Sequence, residues 1–316
     1  MVVNSLKVLF ISHDASRTGA PMLLLNFLRW FKENTDIPFE ILLGRGGELE
    51  QDFAALAPTS VFYKGGEHPE TIQRHNILRR ITRRLGINEP GARIRHKLAG
   101  ADIGLIYSNT STNGNILQAL SWLKCPVISH IHELNYSLDF HSDKFDYVKE
   151  RTTHFIACSQ AVKDNLVNRY NISPDDVSVI YEFIPFAAAP QHLLRRELNL
   201  PEDSFIVGSA GTRHWRKGPD LFIQLACRVR SKLDAPIHFV WLGGGDKEQR
   251  NAVDRDIAKT GLGTSVHLLD AKPNPLDYFV DFDLFALTSR EDPYPLVSLE
   301  AASLGKPILC LSLIHI

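Results

Sequence analysis

The chain has 316 residues, of which 44% are hydrophobic and 22% charged, and its formal net charge is −1. This composition is ordinary for a globular protein, and the length favours two domains over one hydrophobic core. The near-zero charge argues against a nucleic-acid partner, and four scattered cysteines without a C-x-x-C pair argue against a zinc site or a disulfide framework and favour a reducing cytoplasm.

The first half of the chain alternates short apolar runs with longer helix-like segments. That alternation is typical of a parallel sheet covered by helices, and therefore of an α/β fold. "MVVNSLKVLFISHD" leads directly into a strand pattern rather than a signal peptide, and no apolar run approaches the ~20 residues of a membrane span, so we expect a cytoplasmic protein. The predicted strands are 7–12, 39–44, 60–64, 103–108, 126–132, 154–159 and 177–182, with helices at 21–32 and 160–169 among the segments between them.

"SHDASRTGAP" follows the first predicted strand. In doubly wound folds ligands bind at the carboxyl ends of the strands, so this segment is a candidate site. Thr18, Gly19 and Ala20 precede a helix that begins at Pro21, and small residues let backbone amides approach an anion at a helix start. The alternative is that Gly19 serves only a turn.

The segment 71–100 is strongly basic, with eight Lys or Arg residues against the single acid Glu89. Its apolar stripe, with arginines on the other side, predicts an amphipathic helix. Such a helix either lies at an anionic membrane surface or simply covers the core with a solvated face.

"HIHE" follows the run 126–132, with His130 and His132 two residues apart. A strand-end imidazole is well placed to exchange hydrogen bonds with a sugar hydroxyl, although a structural histidine is the alternative. A metal is not favoured, because no further His, Asp or Glu stands at a recognisable ligand spacing.

A proline-rich segment without a strand of its own, 185–201, separates the first half from a second series of runs. We interpret it as a linker between a first domain, 1–184, and a second domain, 202–310. The predicted strands of the second domain are 205–211, 237–243, 265–270, 284–289 and 307–311.

"TRHWRKGPD" follows the first strand of the second domain. Arg213, Arg216 and Lys217 precede a helix near Pro219, and fixed cations at that place suit a diphosphate, while a solvated basic turn is the alternative. "WLGGGD" lacks the spacing of a dinucleotide fingerprint, so a nicotinamide enzyme is poorly supported.

"SREDPYPLVSLEAASLGKP", residues 289–307, predicts a helix from Pro295 to Leu304. Glu300 falls within the apolar stripe of this helix, where an unpaired carboxylate is costly to desolvate. Either it caps a loop or pairs with a base, or it lines a crevice and holds a hydroxylated ligand together with Asp292.

Taken together, "TGAP", "HIHE", "ACSQAVKDNL", "RKGPDLFIQLA" and the segment 289–307 resemble the retaining glycosyltransferases of family 4. The resemblance implies the GT-B architecture, two Rossmann-like domains that face each other across a cleft. It also implies a nucleotide-diphospho-sugar donor, a UDP- or GDP-sugar, held mainly by the second domain. A glycan or lipid-linked acceptor is then bound mainly by the first domain, and no metal or other cofactor is required.

The resemblance also implies roles for single residues. Lys217 and Arg213 neutralise the donor diphosphate, which Gly19 approaches from the first domain. Glu300 binds the ribose, with Asp292, Pro295 and Leu296 also at the ribose and sugar. His132 and Asp292 are the candidate catalytic residues. The expected setting is the synthesis of a bacterial surface polysaccharide or glycolipid, in the cytoplasm or at the inner face of the plasma membrane.

Three features depart from the family pattern. The first acid of the E-x7-E signature is Asp292, and Thr212 stands where many members have Arg. The last residues, 311–316, match a translated sequencing adapter, so we expect a natural chain that continues beyond residue 310 and a truncated second domain. The alternatives to a glycosyltransferase are a GT-B nucleotide-sugar epimerase and a catalytically silent sugar-nucleotide binder.

Overall fold

A computed structural model describes residues 6–64, 90–185 and 189–311 of the chain. The chain divides into two compact units, Met1–Glu182 and Phe183–Ile316. Each unit is built on its own parallel sheet. The basic residues 71–89 and the terminal residues 312–316 lie outside the described part, so the amphipathic-helix and adapter predictions for them stay predictions.

The first unit contains a seven-stranded sheet with strand order β3-β2-β1-β4-β5-β6-β7. Each run predicted as a strand in this half overlaps an observed strand, because parallel strands buried on both faces read as continuous apolar runs. The strands are β1 Lys7–Ser12, β2 Phe39–Arg45, β3 Thr59–Tyr63, β4 Ile103–Asn109, β5 Val127–Ile131, β6 His154–Ala157 and β7 Val177–Val179.

Helices cover this sheet. The longest, α1, begins at Gly19 and buries Leu24, Leu25 and Leu28 against β1 and β2. Phe10 of β1 lies in an aromatic cluster with Phe27, Phe31 and Phe39. The described α-helices of the unit are α1 Gly19–Asn34, α2 Glu50–Ala54, α3 Pro90–Leu98, α4 Gly114–Ala119, α5 Asn135–Phe140, α6 Ser142–Arg151 and α7 Gln160–Asn168.

The second unit contains a five-stranded parallel sheet with strand order β10-β9-β8-β11-β12. One buried cluster includes Phe279, Phe282 and Phe285, and another includes Phe222 and Trp241. The strands are β8 Phe205–Ala210, β9 Ile237–Leu242, β10 Val266–Leu269, β11 Leu284–Leu287 and β12 Ile308–Cys310. The described α-helices are α8 Leu194–Leu198, α9 Pro219–Arg230, α10 Lys247–Thr260, α11 Leu276–Phe279 and α12 Leu296–Ser303.

The structure differs from the predicted linker in one part. Within 185–201, helix α8 packs into the second unit, with Leu194 fully buried in its core. The carboxylate of Asp281 accepts hydrogen bonds from the backbone N–H of Leu194 and of Arg195, at 2.9 and 3.3 Å. The sequence interpretation missed this helix because it is only five residues long and follows Pro185 and Pro190.

The strand orders locate the edge at which a ligand is expected. In each sheet the chain winds outward in both directions from a central pair of strands, β1 and β4 in the first unit and β8 and β11 in the second. Ligands of doubly wound sheets bind beyond the carboxyl ends of the strands at such a switch point. None of the described helices is both long and apolar enough to cross a membrane.

Candidate functional site

In the second unit, the loops that follow β8 and β11 are joined to each other. The backbone N–H of Arg290 donates to the carbonyl of Arg216 at 2.8 Å, and the Arg216 guanidinium donates to the carbonyl of Glu291 at 2.9 Å. Gly218 has a φ of +71°, and a Cβ at this position would lie 2.1 Å from the carbonyl oxygen of Thr288. Only glycine therefore permits the close approach that brings the two loops together.

Lys217 and Asp292 meet where these two loops join. Lys217 Nζ lies 2.6 Å from Asp292 Oδ2, and the Ser289 hydroxyl donates to the same oxygen at 3.1 Å. The two side chains are 20% and 9% exposed. The structure thus brings together two of the predicted donor-binding residues, as an ion pair at the carboxyl end of the sheet.

Glu300 lies on α12, the helix that follows the Asp292 loop. Its carboxylate has no hydrogen-bond or ion-pair partner among the described residues, and burial raises its pKa from 4.5 to about 7. Within residues 6–64, 90–185 and 189–311, Glu300 thus makes neither the loop cap nor the ion pair that the sequence left open as alternatives. An acceptor held in this way can bind hydroxyl groups of a ligand, which would supply the missing donors.

Pro295 and Leu296 form the start of α12. Pro295 occupies the N-cap position and Leu296 begins the helix, and no side chain caps the first turn. The helix packs on the core through Val297 and Ala301. The first backbone N–H groups of α12 therefore follow directly on the loop that carries Asp292.

Arg213 is not brought together with Lys217. Its guanidinium donates to the carbonyl of Leu269 at 3.0 Å and lies 3.6 Å from Asp270, both at the end of β10. Burial lowers the pKa of Arg213. The strand order gives the reason, because β9 and β10 lie on one side of β8 while β11, which leads to Asp292, lies on the other. Arg213 and Lys217 thus contact different strand ends, and a diphosphate contact shared by the two stays a prediction.

In the first unit, Gly19 is exposed and begins α1 directly after the β1 loop. Thr18 stands at the N-cap position but makes no side-chain cap hydrogen bond. The Asn109 amide, at the end of β4, donates to the carbonyl of Ala20 at 2.8 Å. The start of α1 is thereby fixed to the switch point between β1 and β4.

His132 follows β5 and both of its ring nitrogens are engaged. Nδ1 lies 2.6 Å from the Glu182 carboxylate, and Nε2 lies 2.7 Å from the Asn109 amide oxygen. Burial, and to a smaller extent His13, lowers the pKa of His132 to about 3. The ring is therefore neutral near pH 7 and carries one proton, and because an amide oxygen only accepts, that proton lies on Nε2 and is donated to Asn109 Oδ1.

The sequence interpretation did not include Asn109 and Glu182. Both follow apolar strand runs and stand at the carboxyl edge of the sheet, which is the same signal that selected His132. Together with His130 they complete a polar cluster in which the Tyr107 hydroxyl lies 2.8 Å from His130 Nδ1.

One set of potential metal ligands lies in this cluster. Ligand atoms of His130, His132 and Glu182 lie within 4.8 Å of one another, and His130 Nε2 is buried without a hydrogen-bond partner. However, the short hydrogen bonds of His132 already use both of its nitrogens. The set is therefore better described as a hydrogen-bond network than as a preformed metal site.

Comparison with known proteins agrees with this architecture. Residues 52–187 match the model of Glycosyltransferase Family 4, and residues 191–314 match that of Glycosyl transferases group 1. An O-antigen biosynthesis glycosyltransferase, WclY of Escherichia coli, is 26% identical over 59% of this chain and 54% of its own length. A D-inositol 3-phosphate glycosyltransferase of Corynebacterium kroppenstedtii is 25% identical over 51% of this chain and 39% of its own. The chain thus spans about half the length, or less, of these curated relatives.

Solved structures show the same fold. Anabaena Alr3699/HepE in complex with UDP and glucose superimposes with a TM-score of 0.76 at 19% identity, over 96% of this chain and 80% of that one. Sucrose-phosphate synthase of Thermosynechococcus elongatus superimposes with a TM-score of 0.70 at 15% identity, over 96% and 81%. The two matched models adjoin and together span most of the sequence, one on each unit. The chain therefore belongs to the family 4, group 1 glycosyltransferases and has the GT-B fold.

Proposed function

We propose that this glycosyltransferase moves a sugar from a UDP- or GDP-sugar to a glycan or lipid-linked acceptor, with retention of the anomeric configuration. The observation that carries the proposal is the Lys217–Asp292 pair at the switch point of the second sheet, next to the helix that carries Glu300, whose carboxylate has no partner within the described part of the chain. A cation and two carboxylates are the groups that a diphosphate and a set of sugar hydroxyls require.

The donor is assigned to the second unit. The negative charge on the leaving diphosphate grows as its bond to the sugar breaks, and a fixed ammonium at Lys217 stabilises that charge. Asp292 Oδ2 is occupied by Lys217 and Ser289, which leaves Oδ1 to accept from a hydroxyl of the donor sugar. Glu300 accepts from the ribose hydroxyls, which remove the cost of its unpaired burial.

Retention is assigned to attack on the same face from which the phosphate leaves. The acceptor hydroxyl oxygen bonds to the anomeric carbon while the bond from that carbon to the phosphate oxygen breaks. The hydroxyl proton passes to the departing phosphate. Such a step needs no protein nucleophile, which is consistent with Asp292 being held by Lys217 rather than left free to attack.

His132 is assigned a positioning role rather than the catalytic role that the sequence suggested. Its hydrogen bond to Asn109 continues to the carbonyl of Ala20, so the imidazole helps to fix the start of α1 beside Gly19. A direct contact with the transferred sugar would require His132 to give up one of two short hydrogen bonds.

The test is a transfer and hydrolysis assay with UDP- and GDP-sugars. Lys217→Ala and Glu300→Ala are expected to lower kcat/KM at least about 100-fold, since each removes a charged contact to the donor. Lys232→Ala and Glu248→Ala are matched controls, because both residues are exposed in the same unit. Normal turnover in the first two variants would refute the site.

The same assay addresses the remaining parts of the proposal. Proton NMR of the product reports the anomeric configuration, and an inverted product would refute retention. An altered donor released without acceptor would indicate an epimerase, and donor binding without turnover would indicate a silent binder. Neither alternative is favoured by the comparisons.

The acceptor and the cellular location are further parts of the proposal. The names of relatives include O-antigen biosynthesis and D-inositol 3-phosphate, which supports a glycan or polyol acceptor and polysaccharide or glycolipid synthesis. The proposed location, in the cytoplasm or at the inner face of the plasma membrane, has no support from these names. Membrane contact through 71–100 is tested by co-sedimentation with liposomes. Binding that does not depend on anionic lipid would contradict that contact.

A further inference from the structure

A path of three hydrogen bonds connects four elements at the carboxyl edge of the first sheet. It runs from Glu182, after β7, to His132, after β5, and on to Asn109, the last residue of β4. It ends on the carbonyl of Ala20, in the first turn of α1. The successive distances between the bonded atoms are 2.6, 2.7 and 2.8 Å.

The Ala20 end of this hydrogen-bond path sets the direction of the bonds. A backbone carbonyl only accepts, so the contact with Ala20 is made by the amide NH₂ of Asn109. The amide oxygen of Asn109 therefore faces His132 Nε2, and because this oxygen also only accepts, Nε2 is the nitrogen that carries a proton. The tautomer of His132 thus follows from two acceptors that cannot act as donors.

The contact between His132 and Glu182 needs a proton of its own. His132 Nδ1 lies 2.6 Å from Glu182 Oε1, and two lone pairs that faced each other at this distance would repel. Two arrangements supply the proton. Either an imidazolium donates to a carboxylate, or the hydroxyl of a carboxylic acid donates to a neutral imidazole.

Burial favours the neutral arrangement. The two side chains are only 8% and 6% exposed, and the charged form of each group is costly to remove from water. Burial, with a smaller contribution from His13, lowers the pKa of His132 to about 3. The ring of His130, whose pKa burial also lowers, lies 4.0 Å from that of His132 between centroids. A neutral His132 leaves the shared proton on the carboxyl group.

We propose that Glu182 is a carboxylic acid in the folded protein near neutral pH, and that its hydroxyl donates to His132 Nδ1. Every hydrogen bond of the path then points the same way, from Glu182 to Ala20, and no charged group is buried within it. The consequence for the reaction rests on the proposed function, in which the start of α1 approaches the donor at Gly19. Glu182 acts there only through His132 and Asn109, and is a positioning residue rather than a catalytic one.

Spectroscopy of the unmodified protein tests where the proton lies. In ¹⁵N NMR the two ring nitrogens of a neutral imidazole differ strongly, whereas those of an imidazolium are alike. We expect one protonated and one unprotonated nitrogen for His132, with the His132→Gln variant used to assign the signals. Two protonated nitrogens would overturn the inference, and this outcome needs no variant of Glu182 to fold.

Infrared difference spectra report on the carboxyl group itself. They compare the unmodified protein with Glu182→Gln at pH 8, above the pKa of about 7 of Glu300. We expect the unmodified protein to show the carbonyl stretch of an un-ionised acid that the variant lacks. Glu33→Gln, at an exposed position of the same unit, should remove only carboxylate bands. Loss of only carboxylate bands in Glu182→Gln as well would contradict the proposal.

Kinetics test the positioning role. A glutamine amide can donate to Nδ1 in place of the hydroxyl, whereas methionine has a similar length and no donor. We expect Glu182→Gln to keep kcat/KM within about threefold, and Glu182→Met to lower it at least about tenfold, mainly by raising KM for the donor sugar nucleotide. Glu33→Met is the matched control. Equal kinetics of the two Glu182 variants would refute the positioning role.

The spectra distinguish a failure of this inference from a failure of the proposed function, because they need neither donor nor acceptor. An imidazolium facing a carboxylate, in a protein that transfers sugar, would overturn the inference and leave the proposed function standing. Absence of transfer by the unmodified protein would count against the proposed function itself.

Discussion

Glu300 is a buried carboxylate in the candidate donor site of the second unit. Its pKa rises from 4.5 to about 7 through burial alone, and the ionised form has no protein partner among the described residues. A buried charge without a partner is unfavourable for folding and is retained where a ligand needs it. Removing the charge of Glu300 should therefore raise the stability of the protein while it weakens donor binding.

We predict that Glu300→Gln stabilises the protein above pH 7 and weakens donor binding. The folded-state pKa lies above the unfolded value, so ionisation costs stability progressively as the pH rises from about 4.5 to about 7, and the full cost remains above that range. Allowing for partial exposure, we expect a gain of about 2 kcal/mol at pH 8 and almost none at pH 4.5.

Chemical denaturation at both pH values measures this difference. Glu248→Gln, at an exposed position of the same unit, serves as control. A Glu300→Gln protein that is less stable than the parent at pH 8 would show that the carboxylate makes a favourable contact in the folded chain.

Substitutions of Lys217 and Asp292 also separate an effect on stability from an effect on nucleotide binding. Loss of one partner leaves the other charge largely buried, so Lys217→Met is expected to destabilise the protein by about 3 kcal/mol. The double variant Lys217→Met/Asp292→Asn is expected to recover most of that stability without recovering UDP binding. A double-mutant cycle of unfolding free energies, with UDP titrations alongside, measures both quantities. Recovery of UDP binding in the double variant would contradict the role of the Lys217 charge.

At the scale of elements, the contact between the β8 and β11 loops depends on Gly218. Its φ of +71° nearly equals the +70° of Gly261, but an added Cβ meets the Thr288 carbonyl at Gly218 and meets nothing within 4 Å at Gly261. Comparing alanine substitutions at Gly218 and Gly261 therefore separates the effect of close packing from that of backbone strain.

We predict that Gly261→Ala costs about 1 kcal/mol, the strain of a left-handed residue, and that Gly218→Ala costs at least about 2 kcal/mol more and weakens UDP binding. Thermal unfolding and UDP titration of both variants measure this. Equal losses in the two variants would mean that the loops adjust without cost and that their contact does not organise the site.

Most strands and helices could be predicted from the sequence, but helix α8 could not. The strands were predictable because each is a short apolar run bounded by polar residues, and α12 was predictable because Pro295 and Gly305 bracket it. Helix α8 was not, since its core contact is made by Leu194, far along the chain from the Asp281 carboxylate that caps it. Local pattern carries no information on such a partner.

The same limit applies to the site residues. The pairing of Lys217 with Asp292 was not foreseen, although the rule of carboxyl-terminal strand ends placed both at one edge. The Arg213 guanidinium contacts the end of β10, which lies on the β9 side of β8. The sequence did not reveal the order of the strands on either side of β8. The partners of His132 likewise come from strands distant in sequence.

At the scale of the whole molecule, the account predicts activity without a metal ion. Tyr107, Asn109 and Glu182 engage three of the four ring nitrogens of His130 and His132, and in the proposed function Lys217 supplies the positive charge at the diphosphate. Dialysis against EDTA is expected to leave kcat within about twofold, given that no step depends on a Lewis acid. Loss of activity restored by Zn²⁺ or Mg²⁺ would contradict this, and would direct attention to His130, His132 and Glu182.

Hydrogen–deuterium exchange with and without saturating UDP or GDP reports where the nucleotide binds on the intact chain. We expect one nucleotide to slow exchange in the loop 211–218 and in the segment 288–300, which carry Lys217, Asp292 and Glu300. Nucleotide binding that leaves both segments unchanged, or no binding of either nucleotide, would contradict it.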